Sequence, residues 1–433
     1  MGHIGHIKDE YLAFVRRLEG TEAALVEPKN PRAWQGWKDI LEILLTPDQA
    51  KLASHIPHFP STIDIIAARA GTTTEEAQSL LDALCDRGIV VDIPSPRGAK
   101  TRYILSHPMA GFLELSLMRK DEIIPKKRMA EALDAYMHGD DAFMRQIFSG
   151  ETVIGRSLVH ETALAQDVPE IADWERATAI VRDASDLAVA TCYCRHKAEH
   201  LGKSCGGPQD ICLQLNGGAE FSVKKKYGRK VDREEAIDLL ALAREEGLVH
   251  VIDNVLNEPS YICNCCGCCC VQLQAINEFD LPGVKPSGFE PQSDPHKCAG
   301  CSRCARACPI GAITMSPKRE SAQKKSEISP VVDHDRCIGC GLCADACRKK
   351  AMRMVRGAEK PYIPQNAIER GVRAAIERGR LAQLLFDEGA GRSSQFLNNM
   401  LRAIFALPLA QRVLAREQVR SRFVHAVLSR MGL

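Results

Sequence analysis

Apolar and polar residues alternate at helical spacing in the N-terminal quarter of the chain, and this pattern predicts three successive helices. They are expected over about residues 37–55, 62–69 and 74–87. The third segment starts with threonines followed by Glu75 and Glu76, the pattern of a capping box. Gly71 and Gly88 come directly after the second and third segments, where glycine commonly ends a helix.

Two short apolar segments follow, and together with the helices they predict a small helix-and-strand domain. Residues 89–93 and 102–105 are expected to form strands, joined by a basic turn at 94–98 that is rich in Pro and Gly. The order of three helices, a strand, a turn and a strand resembles that of a winged-helix domain. The resemblance rests on the pattern of elements and implies this fold for the region 1–107.

The rest of the chain has the pattern of several helix-and-strand domains, so the fold class expected is multidomain α+β. In the middle block, 187–190 predicts a buried strand that leads into Cys192, 233–246 predicts a helix, and 248–252 predicts another strand. The expected divisions are a winged-helix-like region at 1–107, a helical linker at 108–185, a cysteine-rich domain at 186–275, a domain with two cysteine repeats at 292–357 and a helical tail at 366–433.

Composition argues against several classes of protein. The chain has 433 residues, with 57 Lys or Arg and 55 Asp or Glu, for a net charge of +2. This balance argues against a globally basic nucleic-acid binder and against an acidic disordered chain. No apolar stretch approaches the length of a transmembrane helix, and the first residues match neither a secretory signal nor a myristoylation signal. We therefore expect a cytoplasmic protein.

Cysteine is the residue that departs most from ordinary composition. Of the 19 cysteines, all except Cys85 lie between Cys192 and Cys347. Dense disulfide frameworks occur mainly in short secreted chains, whereas this chain is long and has no recognisable export signal. Thiols packed this densely in a reducing compartment indicate metal binding.

The C-terminal cysteines form two runs with the spacing C-x2-C-x2-C-x3-C, and Pro309 follows the first run. These runs closely resemble bacterial dicluster ferredoxins, in which the fourth cysteine of each run ligates the other cluster. The resemblance implies two [4Fe–4S] clusters. It implies one ligand set of Cys298, Cys301, Cys304 and Cys347, and another of Cys337, Cys340, Cys343 and Cys308. Zinc ribbons use separated C-x2-C pairs instead, which argues against two zinc sites.

Two features depart from the ferredoxin pattern. Arg348 stands where a second proline would follow the second run, and a polar insert at 316–326 separates the repeats. Neither changes a cluster ligand, so both bear on docking and reduction potential. The block also carries a basic surface, which is either a solvated face or a dock for an acidic redox partner protein. Its residues are Arg303, Arg306, Arg336, Lys349 and Lys350.

A second constellation of ten cysteines precedes these runs. Its members are Cys192, Cys194, Cys205, Cys212, Cys263, Cys265, Cys266, Cys268, Cys269 and Cys270. The first and last groups each follow a predicted strand, so neighbouring strands would bring them to one end of a sheet. Soft ligands in this number favour iron–sulfur, zinc or Cu(I) over magnesium or calcium. Three interpretations remain open, namely a third iron–sulfur cluster, a structural zinc site, and a thiol relay or disulfide switch.

Within this constellation we expect four thiols to form one ligand group, namely Cys192, Cys194, Cys205 and Cys212. We expect Cys263, Cys265 and Cys266 to join or supplement it. Three consecutive thiolates, those of residues 268–270, do not easily converge on one cluster. The arrangement is similar to that of multidomain ferredoxin-type proteins of anaerobic bacteria, which implies redox work but names no substrate.

Motifs for other cofactors are missing. The nearest approach to a dinucleotide turn is at 389–391, in a helical context, and no phosphate loop or nucleophile elbow is present. We therefore expect an electron-transfer component rather than a self-contained enzyme, one that passes single electrons through two clusters to or from the central site. The alternatives are a redox- or oxygen-sensing transcription regulator and an activation or assembly factor for a redox enzyme.

The remaining expectations concern partners. The helix at 74–87 would face DNA, but it carries four acidic residues against Arg87, a net charge of −3, so we expect little or no DNA binding. In the tail, one apolar helical face predicts packing on a domain or partner, with an anionic membrane as the alternative. That face consists of Phe423, Val424, Val427, Leu428 and Met431.

Overall fold

The computed structural model describes residues 7–19, 23–93, 100–164, 172–317, 328–358, 360–378, 380 and 400. These residues form both helices and sheets, which confirms the mixed α and β class. The chain divides into two units, one of Met1–Thr152 with Ala367–Leu433 and the other of Val153–Asn366. The segment 108–185, predicted to be a linker, therefore contributes to both units. The five predicted divisions stay a prediction.

The first unit is mainly helical. Its helices are α1 (Asp9–Leu18), α2 (Pro31–Leu44), α3 (Pro47–Ser54), α4 (Ile63–Ala70), α5 (Thr74–Asp86), α6 (Glu114–Met118), α7 (Lys126–Gly139) and α8 (Ala142–Phe148). Strands β1 (Ser61–Thr62), β2 (Val90–Ile93) and β3 (Arg102–Leu105) form an antiparallel sheet in the order β1-β3-β2. The predicted turn at 94–98 lies outside the described residues.

The helices and strands predicted between residues 37 and 105 are found, except at one break, while the winged-helix fold stays a prediction. The helix expected over 37–55 is two helices, because the backbone is extended at Leu45 and Thr46 and α3 begins anew at Pro47. Thr46 and Gln49 form a capping box there, which satisfies the first N–H groups of α3. The capping box predicted for α5 is confirmed, with Thr73 as the cap.

The second unit is built on a six-stranded antiparallel sheet. Its strands are β4 (Gly155–Ser157), β5 (Leu187–Thr191), β6 (Asp210–Leu215), β7 (Gly228–Lys230), β8 (Val249–Asp253) and β9 (Tyr261–Cys265). They lie in the order β4-β8-β9-β6-β5-β7. The helices of this part are α9 (Ala177–Asp183), α10 (Tyr193–His200), α11 (Asn216–Lys224), α12 (Arg233–Glu245) and α13 (Val271–Phe279).

One apolar core holds this sheet to its helices. Val189 of β5, Leu213 of β6 and Ile262 of β9 are buried in one cluster with Val181 of α9 and Leu240 of α12. Alternate residues of a strand point to the same face, so these side chains place α9 and α12 on one face of the sheet. This core therefore holds in place the strands from whose ends the cysteine-containing loops leave.

The cysteine repeats form the last part of the second unit. Their elements are β10 (Phe289–Ser293), α14 (Arg303–Ala307), β11 (Ile313–Pro317), β12 (Ile328–Val332), α15 (Leu342–Asp345) and β13 (Met352–Arg356). The first strand of each repeat pairs with the second strand of the other, β10 with β13 and β11 with β12. The polar insert begins inside β11, and its residues 318–326 lie outside the described residues.

The tail is described only in part. Helix α16 (Ala367–Glu377) belongs to the first unit, while the apolar face predicted at 423–431 and the segment 389–391 lie outside the described residues. Among the described residues, no helix is both long and apolar enough to cross a membrane.

Candidate metal centres

The two cysteine runs adopt matching loop conformations. Gly300 and Gly339, at equivalent positions, have φ values of 62° and 68°. Two residues further on, Ser302 and Gly341 have φ values of 59° and 89°. This left-handed region favours glycine, so Ser302 holds its conformation at a cost that Gly341 avoids. The sequence contained no signal for this position, because serine is not typical of a positive φ.

Each fourth cysteine lies with the first three cysteines of the other run. One cavity is lined by Cys298, Cys301, Cys304 and Cys347, and another by Cys308, Cys337, Cys340 and Cys343. The sulfur of each fourth cysteine accepts a hydrogen bond of 3.2 Å from a backbone N–H group. The donor to Cys308 is Ala312, and the donor to Cys347 is Ala351. Four thiols with backbone donors are a donor set that fits a [4Fe–4S] cluster in each cavity. These groupings are the ones that the ferredoxin resemblance implies.

The second cavity is the more deeply buried of the two. Burial raises the pKa of Cys340 to about 12 and also raises the pKa values of Cys337 and Cys343. In contrast, Cys301 of the first cavity is exposed, and Arg303, Arg348 and Lys349 line that cavity. Because metal ligation requires thiolates, binding in the second cavity must overcome this burial.

A buried histidine ties the second run to the central sheet. The backbone N–H of His160 donates to the carbonyl oxygen of Cys340 at 3.0 Å. Its ring nitrogens lie 2.8 Å from the Asp345 carboxylate and 3.1 Å from the carbonyl oxygen of Leu248, just before β8. His160 lies in the segment predicted to be a linker, and no sequence motif marked it.

The central cysteines converge where the strands of the six-stranded sheet end, on one side of the sheet. The strands predicted at 187–190 and 248–252 correspond to β5 and β8, and they are not neighbours, because β9 and β6 lie between them. Strand β9, which the sequence analysis did not predict, is the one that precedes Cys266. Since β6 is antiparallel to both, β5 and β9 run parallel and end at the same edge. Cys192 follows β5, Cys266 follows β9, and Cys205 lies shortly before the start of β6. The convergence follows from this strand order.

The ten central thiols separate into three groups. The outer group consists of Cys205, Cys266, Cys268 and Cys269, whose sulfurs all lie within 4.8 Å of one another. The inner group consists of Cys192, Cys194, Cys265 and Cys270; the sulfurs of Cys265 and Cys270 are 3.2 Å apart, and the thiol of Cys194 interacts with those of Cys192 and Cys270. The remaining pair is Cys212 and Cys263, at 3.9 Å, and the thiol of Cys263 also interacts with that of Cys265 in the inner group.

This grouping differs from the sequence-based expectation. Cys205 lies with the residues after β9, and not with Cys192, Cys194 and Cys212. Cys268 and Cys269 share one group, whereas Cys270 belongs to the other. As expected, the three consecutive thiols do not all converge on one point. Two of them, Cys268 and Cys269, do lie together.

A buried arginine lies among these thiols. The side chain of Arg195 is completely buried, and its Nη atoms donate to the carbonyl oxygens of Pro208 and Asn264 at 2.9 and 3.0 Å. The guanidinium interacts through charge with the thiols of Cys192, Cys266 and Cys265, and through a hydrogen bond with that of Cys205. A buried cation is costly without an anion nearby, so Arg195 favours thiolates at this edge.

One thiol in each group of four is acidic. A hydrogen bond from Cys269, together with Arg195, lowers the pKa of Cys266 to about 4. Hydrogen bonds from Cys194 and Cys265 lower the pKa of Cys270 to about 5. Thiolates are the form that binds metal, so each group has one ready ligand.

The histidines near the central cysteines have other partners. His250 bonds to the side chain of Asn264 at 2.7 Å, and burial together with His160 lowers the pKa of His250 to about 3. His196 and His200 lie 3.1 Å apart through their Nε2 atoms. Each of these three histidines therefore has a side-chain partner other than a cysteine.

A close backbone contact joins the turn between Cys266 and Cys268 to the end of the first cysteine run. A Cβ atom added to Gly267 would lie 2.2 Å from the carbonyl oxygen of Pro309, so the two backbones approach more closely than any side chain permits. The Asn277 side chain bridges this contact by donating to the carbonyl oxygens of Gly267 and Pro309 at 3.1 and 3.0 Å. Arg336 supports the bridge, because it donates to Asn277 and to the carbonyl oxygen of Ile310.

Comparison with known proteins agrees with the geometry of the repeats. Residues 297–351 match a family described as a 4Fe-4S dicluster domain. Together with the cysteine arrangement, this match shows that the chain contains a ferredoxin-type iron–sulfur domain. No curated protein and no solved structure matches the chain.

Proposed function

We propose that this protein transfers single electrons through two [4Fe–4S] clusters to or from the central cysteine-rich site. The observation that carries the proposal is the contact between Gly267 and Pro309. Gly267 lies between Cys266 and Cys268 of the outer group, and Pro309 directly follows Cys308 of the second cavity. Electron transfer requires short distances between centres, and this contact brings two metal-binding loops together.

The first cavity is the proposed point of exchange with a partner protein. Its ligand Cys301 is exposed, and the cavity is lined by Arg303, Arg348 and Lys349. Basic residues around an accessible centre attract an acidic partner and orient it. Arg336 belongs to the bridge at Asn277, so the proposed docking surface centres on the first cavity.

The inner group is the proposed site of a third iron–sulfur cluster; the sulfurs of Cys265 and Cys270, 3.2 Å apart, would move apart to ligate separate iron atoms. Cys194, Cys265 and Cys270 are buried, and Cys192 is partly buried beside them. Its members come from two neighbouring stretches of chain: Cys192 follows β5 and Cys194 lies in α10, while Cys265 ends β9 and Cys270 directly precedes α13. Thiolates in an enclosed apolar setting are the usual ligands of iron–sulfur clusters, and the protein around them sets the reduction potential.

Paired substitutions in the full chain test the assignment. Cys308→Ser should alter the cluster whose other ligands belong to the second run, and Cys347→Ser the cluster of the first run. Anaerobic electron paramagnetic resonance should show one intact [4Fe–4S] signal and one altered signal in each variant, with the two patterns complementary. Unchanged signals in either variant would contradict the crossed ligand sets.

The regulator alternative has weaker support. The three-stranded sheet and helices α3 to α5 follow the order expected of a winged helix, but α5 is acidic on its first turn. The one basic residue at its end, Arg87, donates to the carbonyl oxygens of Ile43 and Leu44 at 2.9 and 3.0 Å. Lys100, close to the turn predicted at 94–98, pairs with Asp64. We therefore propose that this region docks or packs and does not read DNA.

A further inference from the structure

The outer group of thiols has the dimensions of a site for a single ion. The sulfurs of Cys205 and Cys266 are 3.9 Å apart, and those of Cys268 and Cys269 are 3.6 Å apart. A tetrahedral zinc ion with Zn–S bonds of about 2.3 Å holds its sulfurs about 3.8 Å from one another. A cubane places one thiolate on each of four iron atoms and therefore spreads its ligands more widely.

The local backbone explains how adjacent cysteines share this site. Residues Gly267 to Cys269 form a turn between β9 and α13, and the turn is closed by the N–H of Cys270 donating to the carbonyl oxygen of Cys266 at 3.3 Å. The backbone N–H of Cys269 faces the thiol of Cys266, and that of Cys205 faces the thiol of Cys269. Such N–H groups directed at sulfur stabilise thiolates that hold a metal.

The surroundings also fit a charged site with access to solvent. Four thiolates around a divalent ion leave a charge of −2, and the buried guanidinium of Arg195 beside Cys205 and Cys266 offsets part of it. Cys205 and Cys268 are exposed, which provides an entry path for an ion from solution. In the inner group, by contrast, Cys194, Cys265 and Cys270 are buried.

We propose that Cys205, Cys266, Cys268 and Cys269 bind one tetrahedrally coordinated ion, zinc or iron, separate from any cluster held by the inner group. Soft tetrahedral S4 sites select these metals. The inference goes beyond the proposed function, because the ion can bind whether or not electrons reach the central site. Iron would add a one-electron carrier beside the contact with Pro309, and zinc would fix the shape of that loop.

The test compares metal and sulfide contents of the full chain with those of the double variant Cys205→Ser/Cys268→Ser. Both residues are exposed, so the fold should survive. The variant should lose about one zinc or iron ion per chain and no acid-labile sulfide. Cys85→Ser, which changes a cysteine outside both constellations, serves as the control and should retain the wild-type contents.

Two results would overturn the inference. Loss of about four iron atoms with four sulfides would mean that these residues hold a cluster. Unchanged metal content would mean that they hold no ion. Zinc in the site would support the proposed single-ion site, but it would remove the outer group from the proposed electron path, because zinc carries no electrons. The single-ion proposal and the electron-transfer proposal can therefore fail separately. Iron would show a high-spin ferric signal that disappears in the double variant.

Discussion

The substitution Gly267→Ala tests whether the close backbone contact links the ferredoxin-type loops to the central cysteines. The added methyl group would lie 2.2 Å from the carbonyl oxygen and 3.0 Å from the carbonyl carbon of Pro309. Non-bonded carbon atoms pack at roughly 3.5 Å, so the loop that contains Gly267 must move away from Pro309 by about 1 Å. Overpacking of this kind typically costs about 1–3 kcal/mol. The backbone of Gly267 is outside the left-handed region, so the effect is steric.

The expected result is slower electron transfer with intact centres. The retreat lengthens the gap and strains the two hydrogen bonds of Asn277, while no cluster ligand changes. Laser-flash photoreduction of the ferredoxin clusters, followed by spectroscopy of the central site, should show a severalfold slower second phase than in the wild type. Iron content and the reduction potentials of the clusters should be unchanged.

A matched glycine substitution controls for the general effect of alanine. Gly217, in α11, has no atom within 4 Å of an added Cβ, so Gly217→Ala should leave the rate unchanged and stabilise the helix by up to about 1 kcal/mol. The reasoning is refuted if Gly267→Ala transfers electrons at the wild-type rate, or if both variants slow it equally.

Three further predictions concern the loops, the first unit and the tail. Ser302→Gly should slow the loss of clusters on heating or leave it unchanged, because glycine adopts the left-handed backbone conformation without strain. Gly341→Ser should accelerate the loss, because its Cβ atom would lie 2.9 Å from the Cβ atom of Ala163. The loss is followed in both variants by visible absorbance. The full chain should show no specific, salt-sensitive binding to duplex DNA at nanomolar protein concentration, since α5 is acidic, and a gel-shift titration that found such binding would favour the regulator. Deletion of 395–433 should leave co-sedimentation with anionic liposomes at background in both forms, and binding that disappears on deletion would assign the tail to membranes.

Much of the local structure could be predicted from the sequence. The cap at Thr73, the strand before Cys192 and the helix predicted over 233–246 depend on residues close together in the chain, and the structure agrees with all three. The helix break at Thr46 was missed, because the apolar pattern continues across it and only the Thr-Pro cap interrupts the hydrogen bonds.

Of the two candidate metal-binding regions, likewise, one could be predicted from the sequence and the other could not. The spacing of the two C-terminal runs identifies a ferredoxin-type domain by itself, because a tight loop of consecutive ligands is a local property of the chain. The central cysteines have no such local solution, and their expected grouping depended on which strands lie side by side. Placing β6 between β5 and β9 separates Cys205 from Cys192 and joins it to Cys266.

The sequence by itself therefore determined the chemistry of this protein, namely dense thiol ligands, two matched runs and the elements that carry them. Only the tertiary structure decided which thiols meet and what lies between them. Arg195, Asn277 and His160 are ordinary residues in the sequence, and their roles come from partners far along the chain, such as Asn264, Pro309 and Asp345. Contacts of this kind depend on strand order and loop packing, because residues distant in the chain become neighbours only when the sheet has formed.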